Sequence, residues 1–290
     1  MKKKSIWLWV IAFVLTGFTA VYQRITGPTY PESGHISLGD SVIDYRLDRS
    51  HGGEGDHQVE IVVSDRNICG ELIWKRYKTD DDWTAVEMRS EGEKLTASLP
   101  HQPPAGKLIY HILLQKDNEV VRLPNSGDII IRFKGKVPFY FLIPHIIFIF
   151  GAMLLSTRTG LEYFSAKSGY ASGINNGNKF KSLTIFTFIF LIIGGFILGP
   201  IIQYYAFSAL WTGFPFGHDL TDNKVLMAFI FWLSALIAMF KSKRPLTYVI
   251  IASIVTLLVF LIPHSLLGSE LDYTEMNEQT QKEIQINLSD

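Results

Sequence analysis

Apolar positions along this chain follow two regimes. Five blocks run without a single Lys, Arg, Asp or Glu: 6–22, 137–156, 182–203, 225–240 and 246–268. Crossing a bilayer takes about 20 apolar residues at 1.5 Å rise each, and a soluble helix of that length would show a polar face. All five blocks therefore read as membrane-spanning helices. Between the first two, the chain changes to short runs rich in β-branched and aromatic residues: HISLG, VIDYRL, QVEIVV, ELIWKRY, KLTASL, KLIYHILL and DIIIRF. Polar or Gly/Pro punctuation separates them (HGGEGDH, SDRN, KTDDD, SEGE, HQPPAG, KDNE). About seven strands at this spacing predict an antiparallel sandwich.

The predicted fold class is a membrane α-helical bundle of five transmembrane helices, four of them a C-terminal bundle, plus an all-β sandwich ectodomain. Its parts are a transmembrane anchor at 1–29, a β-sandwich at 30–136, a four-helix transmembrane domain at 137–268 and an acidic tail at 269–290. The first block follows MKKKS, so a cleavable signal peptide is its rival reading. It exceeds the usual apolar core of about 7–15 residues, and the one small residue placed for cleavage, Ala20, has Phe18 at its −3 position. That departure favours a retained anchor.

Charge adds orientation. The totals balance at 27 basic and 27 acidic residues, leaving no overall sign for a nucleic-acid partner. Lys2, Lys3 and Lys4 precede the first block; Arg158, Lys167, Lys179 and Lys181 separate the second and third; Lys241, Lys243 and Arg244 separate the fourth and fifth. These basic segments share one side if all five blocks cross, so the N-terminus is expected in the cytoplasm. The β domain and the tail, with Glu270, Asp272, Glu275, Glu278 and Glu283, are expected outside a cytoplasmic (inner) membrane. The short path from Gly127 to Pro138 predicts a stiff attachment of the β domain to the second block. The composition of 274–290 is that of a disordered tail.

The stretch LPHQPPAGKLIYHILLQ resembles the corner into the penultimate strand of fibronectin type III and related Ig-like domains. The resemblance implies a buried tyrosine, here Tyr110, and a fold used for binding or spacing, with no chemistry attached. WTGFPFGHDLTDNK, together with two IPH tripeptides, is similar to polytopic membrane proteins of bacteria and brings no activity with it. Cys69 is the single cysteine, which excludes an internal disulfide and thiol-pair redox work. The loop His51–His57 reads as a plain connection, with metal binding through its histidines and carboxylates as the lesser alternative.

Phosphate-binding, dinucleotide-binding and nucleophile-elbow motifs are absent, as is H-E-x-x-H. Transport is disfavoured because the apolar blocks carry no charged group for a relay. Histidine remains. The pentapeptide FLIPH occurs at 141–145 and 260–264, placing His145 and His264 about 6–10 Å inside the outer ends of two oppositely directed helices. The loop 204–224 adds His218 and Asp219, and Asp222 is a candidate N-cap for the fourth block. His145, His218, Asp219 and His264 form a candidate site for a transition metal, or His145 and His264 for haem b, serving electron transfer or metallocentre assembly. Asp219 would orient an imidazole.

A structural account stands beside it. Pro144 and Pro263 would each free a helix carbonyl, that of Tyr140 or Val259, and the histidines would serve those kinks. Gly194, Gly195 and Gly199 suit close helix approach within the chain or in a homodimer, with Pro200 ending or bending the helix. The functional alternative is a non-catalytic accessory or scaffold subunit whose exported sandwich binds a protein partner. A membrane hydrolase fits less well, for want of a nucleophile.

Overall fold

The structure, a computed structural model, describes residues 2–165, 174–263, 266 and 268–274. The chain forms two compact units: Met1–Pro28 with Val137–Ser269, and Thr29–Lys136 with the residues from Glu270 onward.

The first unit is helical. Its elements are α1 (Lys2–Ile25), α2 (Phe139–Ser165), α3 (Ile174–Leu191), a π-helical segment (Ile192–Leu198), α4 (Gly199–Phe207), α5 (Leu220–Lys241) and α6 (Pro245–Leu261). Four stretches are long and apolar enough to cross a membrane: Ser5–Ile25, Phe139–Phe164, Asn178–Phe207 and Leu220–Lys241. The fifth apolar helix, α6, has 17 residues, about 26 Å at 1.5 Å per residue.

The helix ends follow from proline chemistry. Pro138 precedes α2, and its carbonyl accepts from the Phe141 and Leu142 amides. Pro200 has no N–H, and its ring excludes the ordinary α-helical bond to the carbonyl of residue 196. The seven residues before Gly199 wind as a π-helix instead, and the Gly199 amide reaches back to the Gly194 carbonyl. Pro200 thus bends the helix without ending it, since α4 continues to Phe207. Pro245 opens α6, where its fixed φ suits the first turn. Pro263 lies beyond the end of α6 and forces Ile262 into an extended conformation. The two FLIPH copies therefore differ: Pro144 is inside α2, whereas Pro263 terminates α6 and kinks nothing.

Within the unit α2 packs against α1, α3 and α6, and α5 packs against α3 and α6. Small residues set the crossings. A Cβ on Gly160 would lie 2.2 Å from Ser253 Oγ on α6, and one on Gly195 would lie 2.4 Å from Val225 Cγ1 on α5. Gly194 faces the backbone of Ile149 in the same way, so these glycines serve close approach within the chain. Trp232 is fully buried at the centre, and its indole N–H donates to Thr256 Oγ1 at 2.9 Å.

The second unit holds eleven strands among the described residues: β1 (Glu32–Leu38), β2 (Ser41–Leu47), β3 (Ser50–Gly52), β4 (His57–Val62), β5 (Cys69–Arg76), β6 (Thr84–Glu87), β7 (Arg89–Glu91), β8 (Lys94–Leu99), β9 (Lys107–Lys116), β10 (Glu119–Leu123) and β11 (Ile129–Lys134). They form a β1–β2 hairpin, a sheet ordered β3-β11-β9-β5-β6 with β10 on β9, and a β4-β8-β7 sheet. Strict alternation sorts buried from exposed positions, most clearly in β4 and β9. One core of Leu, Ile, Val and aromatic side chains joins all three sheets, an arrangement compatible with a β-sandwich. Tyr110 is fully buried in it, and its hydroxyl donates to the Asp48 carbonyl at 2.9 Å.

The chain after the helical unit docks on this β unit. Tyr273 is buried, its hydroxyl accepts from the Lys107 amide at 2.9 Å, and it lies 3.0 Å from Gln102 Oε1. Gly106 makes room, since a Cβ there would stand 2.9 Å from that hydroxyl. The Leu271 amide donates to Ala105 O at 3.1 Å, and Glu270 pairs with Lys78 and Lys107.

Candidate functional site

Of the residues singled out by sequence, His145, His218 and Asp219 sit at the end of the helical unit formed by the α2 N-terminus, the α4–α5 loop and the α6 C-terminus. His145 is on the second turn of α2, half-buried. Its Nδ1 lies 2.9 Å from the Gly194 carbonyl in the π-helical segment. A carbonyl only accepts, so Nδ1 carries a proton and donates in this contact. Gly194 O thus accepts from both the Gly199 amide and the imidazole, a service that a helix carbonyl gains from local π winding.

Asp219 is buried and is the N-cap of α5, accepting from the Thr221 amide at 2.7 Å. It also accepts from the Ser269 amide at 2.9 Å, from Ser269 Oγ at 3.1 Å and from Thr212 Oγ1 at 3.3 Å. The cap expected at Asp222 is therefore one turn earlier. Asp222 instead accepts from the amides of Thr212 and Gly213 at 2.7 and 3.0 Å, folding the loop over the start of α5. A Cβ on Gly213 would meet Asp222 Cβ at 2.6 Å, which is why glycine stands there. His218, next to the cap, is exposed. His264 lies outside the described residues. Among those described, no three His, Cys, Asp or Glu side chains are grouped to hold a metal ion.

Sequence reasoning passed over Lys224. It is buried on the first turn of α5, and its Nζ donates to the Ile262 carbonyl at 2.9 Å and approaches that of Pro263 at 3.4 Å. A cation on the last carbonyls of α6 satisfies acceptors that a helix end leaves unpaired and complements its dipole. The signal was Lys224 itself, one residue before an apolar block that begins at Val225.

A second polar group lies at the opposite ends of α2 and α3. Arg158, placed by sequence in a loop, is inside α2 and fully buried. It pairs with Glu162 one turn on, while Lys179 of α3 donates to Glu162 at 2.8 Å. Arg158 also reaches Ser5 Oγ at 3.4 Å and stacks over Trp9, fastening α1 to α2. The apolar block 137–156 lacks charge as read, but the helix outruns it by nine residues, from 157 to 165.

In the β unit the loop 51–57 is closed by histidines. His51 Nε2 and His101 Nδ1 each lie 3.1 Å from the Gly55 carbonyl, so both nitrogens are protonated. His51 Nδ1 and His57 Nδ1 lie 3.2 Å apart, and one donates to the other. Burial, and then the neighbouring His51 charge, hold the His57 imidazole below its ordinary value, with Asp48 opposing. His101, which sequence left out, completes the group. Burial pushes the Tyr273 phenol up to about 12.

The chain matches no protein-family model, no curated protein and no solved structure.

Proposed function

We propose that this chain is a multi-span protein of a cytoplasmic membrane, acting as a non-catalytic accessory or scaffold subunit whose β unit binds a protein partner outside. One observation carries the reading: at the loop end of the helical unit, Asp219, Asp222 and Lys224 each close backbone groups of the bundle. These side chains lock helix ends and leave the unit as a rigid anchor. The basic residues of 2–4 and of 241–244 favour a cytoplasmic N-terminus. In this topology α6 is the fifth span, and the fibronectin- or Ig-like β unit is its extracytoplasmic module.

The test is purification in mild detergent with the β unit intact and with residues 30–135 deleted. A partner retained at fixed stoichiometry by the intact chain and by His145→Ala, but lost with the deletion, supports the reading. Chain running alone in both cases, with no partner cross-linked in intact cells, overturns it.

A second reading rests on His145. A metal-bound imidazole generally donates its other N–H to a carbonyl, and His145 Nδ1 does so to Gly194. In that reading Nε2 of His145 is a ligand of a transition metal together with His264, His218 and Asp219, or of haem b together with His264. A Soret band, or stoichiometric metal lost in His145→Ala and His264→Ala, would select it over the scaffold.

A further inference from the structure

Two sheets of the β unit each send one histidine to the same point. His51 is on β3, opposite Phe133 of β11, and His57 opens β4, opposite Leu99 of β8. Their Nδ1 atoms lie 3.2 Å apart, and their ring centroids are 5.1 Å apart. A collinear N–H···N bond of that length would hold the centroids at about 5.5 Å, since each nitrogen stands about 1.2 Å from its ring centre. Two imidazoles on one tetrahedral ion, with bonds of about 2.0–2.1 Å, place their nitrogens about 3.3 Å and their centroids about 5.2 Å apart. The pair matches the second geometry on both distances.

The surroundings suit a pair of ligands. Nε2 of His51 faces the Gly55 carbonyl at 3.1 Å, so it keeps its proton, and the neutral ring presents a lone pair at Nδ1. A carbonyl on the far nitrogen is the usual support of a metal-bound imidazole. Phe133 packs edge-on against the His51 ring, with centroids 5.3 Å apart, and fixes its plane. His57 is buried, and burial, then the His51 charge, hold it below its ordinary value, so near neutral pH it carries no charge of its own. It lines a cleft together with Asp48, whose carboxylate favours positive charge at that ring. Of the carboxylates in the loop itself, Asp56 is engaged by the His101 amide at 2.8 Å.

We propose that His51 and His57 bind one divalent transition ion through their Nδ1 atoms, fastening β3 of one sheet to β4 of another, with solvent in the remaining coordination positions. Among the described residues no three His, Cys, Asp or Glu side chains are grouped for a metal, so the chain supplies two ligands and the affinity is in the micromolar range. Imidazole nitrogen selects zinc, copper or nickel over magnesium or calcium. On binding, the proton between the two nitrogens moves to His57 Nε2, which leaves both rings neutral with a lone pair at Nδ1. The inference concerns the β unit alone. It stands whether or not the membrane reading does, and it is separate from any use of His145.

Calorimetric titration of zinc into the full chain tests it, with the protein free of any tag, stripped with EDTA and held in detergent micelles above the pH at which imidazole protonates. One zinc per chain is expected. His51→Gln and His57→Gln should each weaken binding by about tenfold or more, whereas His145→Ala, in the helical unit, should leave it unchanged. In the unaltered chain the melting midpoint of the β unit should rise by about 5 °C or more at a hundredfold excess of zinc over Kd, and EDTA should reverse the rise. That readout needs no variant to fold. No saturable uptake of zinc, or uptake that persists in both β-unit variants, would overturn the proposal. Binding lost in His145→Ala and kept in His57→Gln would also overturn it, because the ion would then sit in the helical unit.

Discussion

Removing the Asp219 carboxylate separates a structural cap from a ligand. In Asp219→Ala, α5 loses the acceptor for its Thr221 amide, a change worth about 1 kcal/mol for N-caps. The Ser269 amide and the Thr212 hydroxyl lose the same buried acceptor, and each buried donor stripped of a partner costs about 1–3 kcal/mol. Bonds relax together, so about 2–4 kcal/mol is expected for the whole knot. At about 2–4 °C per kcal/mol for units of this size, the midpoint should fall by roughly 5–15 °C. Asp219→Asn keeps one acceptor oxygen, enough for either Thr221 or Ser269, and should lose about half as much. Thermal unfolding in detergent, followed by tryptophan fluorescence from the buried Trp232, reads both variants. A drop under about 2 °C in the alanine variant would refute the structural argument. Bound metal lost from Asp219→Asn without a change in midpoint would return Asp219 to the ligand reading.

Three further outcomes follow from contacts of the same kind. Gly160→Ala drives a Cβ against Ser253 Oγ and Cβ, at 2.2 and 2.8 Å, and should cost about 1–3 kcal/mol by overpacking; Ser253→Gly in the same chain should restore part of that, and strict additivity in the double-mutant cycle would exclude the contact. The β unit should lose stability as pH falls: His57 and His111 both titrate below their ordinary value, with burial the leading cause in each. A group whose folded value is lowered binds fewer protons folded than unfolded, so stability drops from about pH 6.5 downward, toward the folded value, and His57→Gln should flatten the slope in a pH series of melting curves. Cys69 is the sole cysteine and is exposed, so a membrane-impermeant maleimide should label it in intact spheroplasts; labelling only after lysis would invert the topology.

Much of the β unit was readable because seven runs carry both length and period two, and they correspond to β1, β2, β4, β5, β8, β9 and β11. The strands that were not readable, β3, β6, β7 and β10, have three to five residues and no clean alternation. They exist through their partners: β3 runs parallel to β11, a pairing between positions 82 residues apart that local pattern cannot carry. The helical blocks were equally plain, and their limits were not. Apolar runs stop at the first charge, whereas α2 continues through Arg158 and Glu162 because each charge has a partner. The adjacency of α2 and α6, on which any joint use of their histidines depends, became visible only in the Gly160–Ser253 contact, where Ser253 Oγ donates to Ser156 O at 2.9 Å.

The repeated FLIPH shows why identical sequence does not imply identical work. Near the start of α2, Pro144 follows enough helix for its ring to sit in the second turn, and the next residue can turn its ring onto a neighbouring helix. At the end of α6 the same proline has no helix ahead of it, so Ile262 extends and the terminal carbonyls need another donor. Lys224 supplies it from α5. Opposite chain direction thus gives the two copies opposite positions relative to helix polarity, and polarity decides which backbone group is left over. At the start of a helix the leftovers are amides, answered by Asp219 on α5; at the end they are carbonyls, answered by a lysine. The acidic and basic side chains at this end are sorted by that rule, and this sorting supports an anchor built to hold its shape.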